Sequence, residues 1–280
     1  MNDINDNPTE LIDLQKVLAS KNVKAPRWVV SLLGRLLHVD EINQGLAIYH
    51  DKQGPEFADA ILDYLNVSVD LVNSQRIPAD GNPIIVANHP LGGPDGMALI
   101  AAVGRIRKDI KFPVNDFLMA LPNLRDVFVP IDKVHGNRLT ANGINEAFAT
   151  DNILLYFPAG LCSRRQNGVI ADLPWKTTVV KKALAHQRTV IPVFIDAHNR
   201  RRFYSIANLR KRLGIKFNFE MALLPGEMFA QRGNTFRMVV GNPVDWRRFD
   251  NGESPVVWAE RLRQYVYTLR QNPDADLILK

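Results

Sequence analysis

Cysteine is almost absent from this chain: Cys162 stands alone. That excludes an internal disulfide framework and a cysteine-rich zinc site, and it suits a reducing compartment. Long apolar runs are also missing. The best candidate, Trp28 to Leu37, is cut by Gly34 and Arg35, well short of the ~18–20 residues that span a bilayer. The polar, acidic N-terminus has no apolar stretch of the kind a secretory signal needs, so a cytoplasmic location is expected. Internal repeats, low-complexity tracts and long linkers are lacking. Outside one stretch described below, the histidines (His38, His50, His135, His186, His198) show no metal-ligand spacing, so no metal site is expected.

What is present is ordinary for a folded globular protein. The 280 residues are 46% hydrophobic and 23% charged, enough for one large core or two small ones. The formal net charge is +6, with basic clusters at Arg200-Arg201-Arg202 and Arg210-Lys211-Arg212. Such a balance fits nucleic acid, anionic lipid or a phosphate-bearing ligand, and equally a set of solvated helix faces.

The first part of the chain reads as helical. Thr9 can cap a helix through about Ser20, and Pro26 can open a second helix containing Trp28–Leu37. Phe57, Ile61, Leu62 and Leu65 fall on one face of a third. From about residue 67 the texture changes to strands alternating with helices. Strands are predicted at Val67–Val72, Pro83–Ala87, Asp109–Val114, Asp126–Ile131, Asn152–Phe157, Thr189–Asp196, Phe217–Leu224 and Phe236–Val240. Helices are predicted at Asp95–Arg107, Asn137–Thr150, Lys176–His186, Arg200–Leu213 and Pro255–Arg270. The fold class is α/β: a mostly parallel central sheet flanked by helices, with an N-terminal helical segment. The division expected is residues 1–66 for that segment and 67–280 for the α/β domain. Ligands of such sheets bind at the carboxyl ends of strands.

Four blocks stand out. The first is Asn88-His-Pro-Leu-Gly-Gly-Pro-Asp95, directly after an apolar strand. If Gly92-Gly93 lets the loop fold back, the Asp95 carboxylate can fix one ring nitrogen of His89 and leave the other to take a proton. The same residues also read as a glycine turn with Asp95 capping a helix. The second block is Val129-Pro-Ile-Asp-Lys133 with Arg138 shortly after. Its cations could hold an anion or simply line a solvated loop. The third is Tyr156-Phe-Pro-Ala-Gly160, followed by Leu161-Cys-Ser-Arg-Arg165, where backbone donors and guanidinium groups could converge on an anion. Cys162 reads as a small buried thiol more readily than as a nucleophile, because the second glycine of a nucleophile elbow is missing. The fourth is Val190-Ile-Pro-Val-Phe-Ile195, an apolar strand with an internal proline.

In this order the four blocks resemble the glycerolipid and lysophospholipid acyltransferase superfamily (1-acylglycerol-3-phosphate acyltransferase-like), in a divergent bacterial hemolysin-like or aminolipid-type branch. Gly241-Asn-Pro-Val244 is similar to a late element of that domain. The resemblance spans roughly residues 67–245. Three departures are visible. One extra residue separates His89 from Asp95, Lys133 stands where arginine is usual, and Ala159 stands where glutamate is usual.

The resemblance implies transfer of a fatty acyl group from an acyl thioester to a hydroxyl of a lysolipid-like acceptor. His89 would be the general base and Asp95 its orienting partner. N–H groups near Gly92-Gly93 or Ala159-Gly160 would meet the oxyanion. Asn88, Gly92, Gly93, Lys133, Arg138, Pro158, Gly160, Ser163, Arg164 and Arg165 are the substrate-binding candidates. Acyl-CoA or acyl carrier protein would enter as donor substrate, with no bound cofactor and no nucleic acid as partner. The membrane surface is the expected partner, with Trp28–Leu37 lying in the interface and the protein peripheral on the inner face of the cytoplasmic membrane. The competing expectations are a thioesterase or lipid hydrolase using the same pair on water, a basic anionic-lipid-binding protein without catalysis, and an inactive scaffold.

Overall fold

The computed structural model describes residues 11–20, 23–130 and 145–278. Three short helices come first: α1 (Leu14–Ser20), α2 (Arg27–Leu36) and α3 (Val39–Ile48). Pro26 stands immediately before α2, and α2 buries none of its residues fully. The α4 helix (Gly54–Tyr64) differs, because Phe57, Ala58 and Leu62 are buried in the main core. It lies tightly on α5 (Pro94–Gly104): a Cβ on Gly104 would come within 2.2 Å of Pro55 Cβ.

The central sheet has seven strands, ordered β1 (Ser68–Val72), β9 (Thr235–Val240), β8 (Val190–Asp196), β2 (Ile84–Ala87), β5 (Ile153–Tyr156), β3 (Ile110–Val114) and β4 (Phe128–Pro130). All neighbours pair in parallel except β8 and β9, which are antiparallel. The strands β2 and β5 are buried throughout, as strands covered on both faces should be. Alternate residues serve opposite layers. Ile85, Leu155 and Val193 join the core that holds α4 and α5. Ile84, Leu154 and Phe194 join the core built with α6 (Thr178–Ala185) and α9 (Pro255–Thr268).

The chain passes from β2 to β3 and β4 on one side, returns as β5 between β2 and β3, then crosses to β8 on the other side of β2. This reversal falls at β2, and in α/β sheets ligands bind beyond the carboxyl ends of strands at such a point. The opposite end is clamped by Arg188, which is fully buried. Its guanidinium donates to the carbonyls of Asn82 (2.5 Å), Phe148 (2.8 Å) and Thr150 (3.2 Å), and also to that of Asn152. Burial pulls its pKa down to about 10.

Several sequence expectations need correction. Phe217–Leu224 is not a strand: Phe219–Leu223 forms a 3₁₀ turn that runs into α8 (Leu224–Phe229). Its alternating apolar residues do not line a sheet face, since Phe217 and Phe219 are exposed. A hairpin missing from the expectation, β6 (Arg164–Gln166) and β7 (Val169–Ala171), forms a separate two-stranded sheet. The first helix starts at Leu14, so Thr9 lies outside the described residues. Of the helix expected at 137–150, residues 145–149 are helical and 137–144 lie outside the described residues. Lys133 and Arg138 lie there too. The helix expected at Arg200–Leu213 is α7 (Arg201–Arg212).

Candidate active site

His89 leaves the carboxyl end of β2, and Asp95 sits in the first turn of α5. The loop between them turns at Gly92, whose φ is +90°, a conformation that suits glycine. That turn absorbs the extra residue and brings His89 Nδ1 to 2.9 Å from Asp95 Oδ2. The same carboxylate oxygen accepts the backbone N–H groups of Leu91 (2.9 Å) and Gly92 (3.3 Å), while Oδ1 accepts that of Gly96 (3.0 Å). The helix begins at Pro94, with Gly93 at its N-cap position and no side-chain cap. Asp95 therefore holds the loop and the imidazole together; it does not simply cap a helix.

The imidazole lies against Phe157, with ring centroids 4.1 Å apart and planes 17° from parallel. Its side chain keeps 16% exposure, while Asp95 has none. Among the described residues, Nε2 has no hydrogen-bond partner. Burial favours the neutral ring, but the charge and hydrogen bond of Asp95 outweigh it and hold the His89 pKa above the ordinary value. Burial likewise opposes the Asp95 charge, yet His89 and the Leu91 and Gly92 N–H groups prevail and its pKa lies below the ordinary value.

A second carboxylate supports the loop from the other side. Asp172, just past β7, accepts the His89 backbone N–H at 3.1 Å and the Ser163 hydroxyl at 2.6 Å through Oδ1, and the Trp175 indole N–H at 2.9 Å through Oδ2. Its own N–H donates to the Tyr267 hydroxyl on α9 at 2.8 Å. Burial raises the Asp172 pKa. Ser163 completes the tie by donating its N–H to His89 O at 2.7 Å. Across the site, Asn199 Nδ2 reaches the carbonyls of Pro90 (3.4 Å) and Leu91 (3.3 Å).

The substrate-binding candidates separate into two groups. Asn88 is committed to the scaffold: Oδ1 accepts the Ile195 N–H at 2.7 Å and Nδ2 donates to the Ile195 carbonyl at 2.9 Å, locking β2 to β8. Ser163 is buried against Asp172. Arg164 is also turned inward, donating to Cys162 O (2.7 Å), Cys162 Sγ (3.0 Å) and Glu220 (3.3 Å), with its guanidinium 5.4 Å from the Phe203 ring centroid. These three side chains are therefore not presented to a ligand, because buried partners already occupy their polar atoms. The Gly92 N–H is taken by Asp95, and that of Gly160 by Phe157 O at 3.1 Å. The Gly93 and Ala159 N–H groups have no acceptor among the described residues.

The second group is open. Arg165 is half-buried on β6 and has no ionic or hydrogen-bonding partner among the described residues. Gly160 is exposed with φ +69°, and a Cβ there would come within 2.6 Å of Lys176 Nζ. Lys176 is exposed, and its N–H donates to the buried Pro158 carbonyl at 3.1 Å. Sequence reading missed Lys176, Asp172 and Asn199. Each is a lone polar residue without a motif, and only the fold brings it to the site.

Two neighbouring nucleophiles are turned to other partners, Cys162 Sγ to Arg164 and Ser163 Oγ to Asp172. Burial pushes the Cys162 thiol up to about 11, so it is not a thiolate near neutrality. The Ser163 hydroxyl faces Asp172, not His89. Among the described residues, no group of three or more His, Cys, Asp and Glu side chains could hold a metal ion.

A family model described as "Acyltransferase" matches residues 14–276. The chain belongs to this acyltransferase family. It is 42% identical over 265 residues to a lyso-glycine lipid O-acyltransferase of Bacteroides thetaiotaomicron, covering 92% of this chain and 97% of that protein. It is 40% identical, again over 265 residues, to a lyso-glycine lipid O-acyltransferase of Phocaeicola vulgatus, covering 92% of this chain and 95% of that one. Among solved structures it is similar to the 1-acyl-sn-glycerophosphate acyltransferase PlsC of Thermotoga maritima. There the TM-score is 0.48 and the identity 17%, over 91% of this chain and 88% of that one.

Proposed function

We propose that this acyltransferase moves a fatty acyl group from acyl-CoA or acyl carrier protein to a hydroxyl of a lysolipid-like acceptor. The observation that carries the reading is the His89–Asp95 pair: Nδ1 is held at 2.9 Å, Nε2 has no partner among the described residues, and the neighbouring Cys162 and Ser163 are turned to other partners. In this reading Nε2 takes the proton of the acceptor hydroxyl as its oxygen attacks the thioester carbonyl. The tetrahedral intermediate then collapses, expelling the thiolate, which takes up the proton. The N–H groups of Gly93 and Ala159, without acceptors among the described residues, are the oxyanion donors. A positioned base supplies ~10²–10⁴-fold and an oxyanion donor ~10²–10³-fold.

The relatives named above act on a lyso-glycine lipid, which makes an acceptor of that class the first to test. Arg165, Lys176, Lys133 and Arg138 are the side chains that would hold an anionic headgroup or the donor's phosphates. The N-terminal segment would meet the lipid source. On α2, Trp28 is 70% exposed and Leu32 and Leu36 are exposed too, and Arg27 and Arg35 supply charge, as an interfacial helix requires. No helix among the described residues is long and apolar enough to cross a membrane. The protein would then sit peripherally on the inner face of the cytoplasmic membrane.

The deciding experiment measures acyl transfer from acyl-CoA and from acyl carrier protein to lyso-glycine lipid and to lysophosphatidate, using wild type and a folded His89→Ala variant. Acceptor-dependent product that disappears in the variant is expected. Near-wild-type transfer by His89→Ala would overturn the role of the pair. Release of free fatty acid with no dependence on acceptor would identify a hydrolase.

A further inference from the structure

A second apolar surface, separate from α2, stands at the end of α7. Leu209 and Leu213 share one helical face and are exposed. The turn that follows presents Ile215 and Phe217, with Leu213 64% and Phe217 77% exposed. Exposed cations Lys211, Arg212 and Lys216 alternate with them.

The turn is held rigidly. Gly214, with φ +68°, ends the helix, and its N–H donates to Lys211 O at 3.1 Å. Arg210 faces inward: Nη1 donates to Ile215 O at 2.6 Å and Nε lies 2.8 Å from Oε2 of the fully buried Glu220. Glu220 in turn receives Arg164 at 3.3 Å. The residue before Arg164 is Ser163, whose N–H holds the His89 carbonyl. The apolar side chains are thus fixed in an outward position, and their support reaches the catalytic loop.

From this geometry we infer that the Leu209–Phe217 lobe docks on an anionic lipid bilayer and seats the active-site loop at the acyl boundary. The inference rests on the lysolipid acyltransferase reading. Charge complementarity selects the bilayer: interleaved Lys and Arg meet acidic headgroups while Leu and Phe enter below them. A second copy of this chain would bring the same cations against each other.

The test is co-sedimentation of the full chain with phosphatidylcholine vesicles, with and without phosphatidylglycerol. Leu213→Ser with Phe217→Ser should weaken binding to both by roughly tenfold or more. Lys211→Gln, Arg212→Gln and Lys216→Gln together, all at exposed positions, should weaken binding roughly tenfold or more to phosphatidylglycerol vesicles only. Both variants should keep the wild-type rate on a short-chain, water-soluble lysolipid analogue, which separates docking from folding and chemistry. Unchanged vesicle binding in both variants overturns the inference, as does light scattering showing a dimer that the first variant dissociates without loss of vesicle binding. If wild type transfers no acyl group but the variants lose vesicle binding, the reaction is wrong and the docking surface stands.

Discussion

The backbone N–H of His89 donates to the carboxylate of Asp172, 83 residues further along the chain, at 3.1 Å. The donors on Asp172 come from β2's exit, from the start of the hairpin and from Trp175, so one buried side chain ties together segments far apart in the chain. Replacing Asp172 with Ala leaves the His89 and Trp175 N–H groups unpaired, while the Ser163 hydroxyl keeps His89 O at 3.3 Å, at about 1–3 kcal/mol for each donor that stays dry. The expected outcome is a loss of at least about 2 kcal/mol in denaturant unfolding. In the surviving folded fraction, kcat should fall more than KM rises, because the imidazole loses its position.

The pH profile follows from the directions of the two shifts. In the proposed mechanism His89 acts as the neutral base, and its pKa lies above the ordinary imidazole value, so kcat/KM should rise with pH through that raised value. Asp95→Asn removes the charge that raises it. The acid limb should move down, and the plateau should drop by about 10²–10⁴-fold. Stability obeys the same signs. The raised His89 pKa stabilises the fold at low pH and loses this effect as pH rises through the folded value. The lowered Asp95 pKa stabilises above the ordinary carboxylate value and loses this effect as pH falls through the folded one. The stability difference between wild type and Asp95→Asn should therefore be greatest between the two folded values, as urea unfolding across pH would show.

Gly92 and Gly93 should respond differently to alanine. At Gly92 the φ is +90°, and a Cβ would lie 2.7 Å from Leu224 Cδ1. Gly92→Ala should cost about 1–3 kcal/mol and impair turnover by displacing the loop. Gly93 has an extended φ of −160°, and an alanine methyl there would have open space, with no atom within 4 Å. Gly93→Ala should stay within about 1 kcal/mol of wild type. Paired thermal melts and initial rates check both.

Cys162 is fully buried, and its pKa is pushed up to about 11. A thiol reagent at pH 8 should leave the native protein unmodified and label it only after unfolding. Cys162→Ala should retain activity; loss of turnover in a folded Cys162→Ala protein would reinstate the cysteine as a chemical participant.

Arg188→Met removes the clamp beneath the sheet. The carbonyls of Asn82, Phe148, Thr150 and Asn152 lose a shared donor. A destabilisation of about 3 kcal/mol or more is expected, with the activity of the folded fraction unchanged because the site lies at the other end of the strands. Unfolding curves and specific activity together test that separation.

The residues that announce themselves in sequence are those whose chemistry and periodicity agree locally. Ile84–Ala87 reads as a buried strand, and His89 and Asp95 follow in a glycine loop, so pair and position were both legible. The β6–β7 hairpin went unread although its turn, Asn167-Gly168 with φ of 49° and 84°, is of the Asn-Gly kind that favours hairpins. The polar first strand, Arg164-Arg165-Gln166, and the three-residue length of both strands hid the signal. Phe217–Leu224 misled in the opposite way. Its alternation imitates a strand, but two of its aromatic residues face outward, and the backbone is set by Glu220, whose partners Arg210 and Arg164 are distant in sequence. The reversed direction of β9, and the commitment of Asn88 and Arg164 to internal partners, depend on long-range pairing that no local pattern encodes.

The hairpin stands outside the seven-stranded sheet, yet Arg164 and Arg165 lie on its first strand and Asp172 directly follows its second. Its tip, at Asn167-Gly168, is exposed. The molecule thus carries a separate hairpin with an exposed tip beside the imidazole and its carboxylate. Exchange of residues 165–170 between relatives should transplant headgroup preference while the strand order, the imidazole and its carboxylate stay as they are.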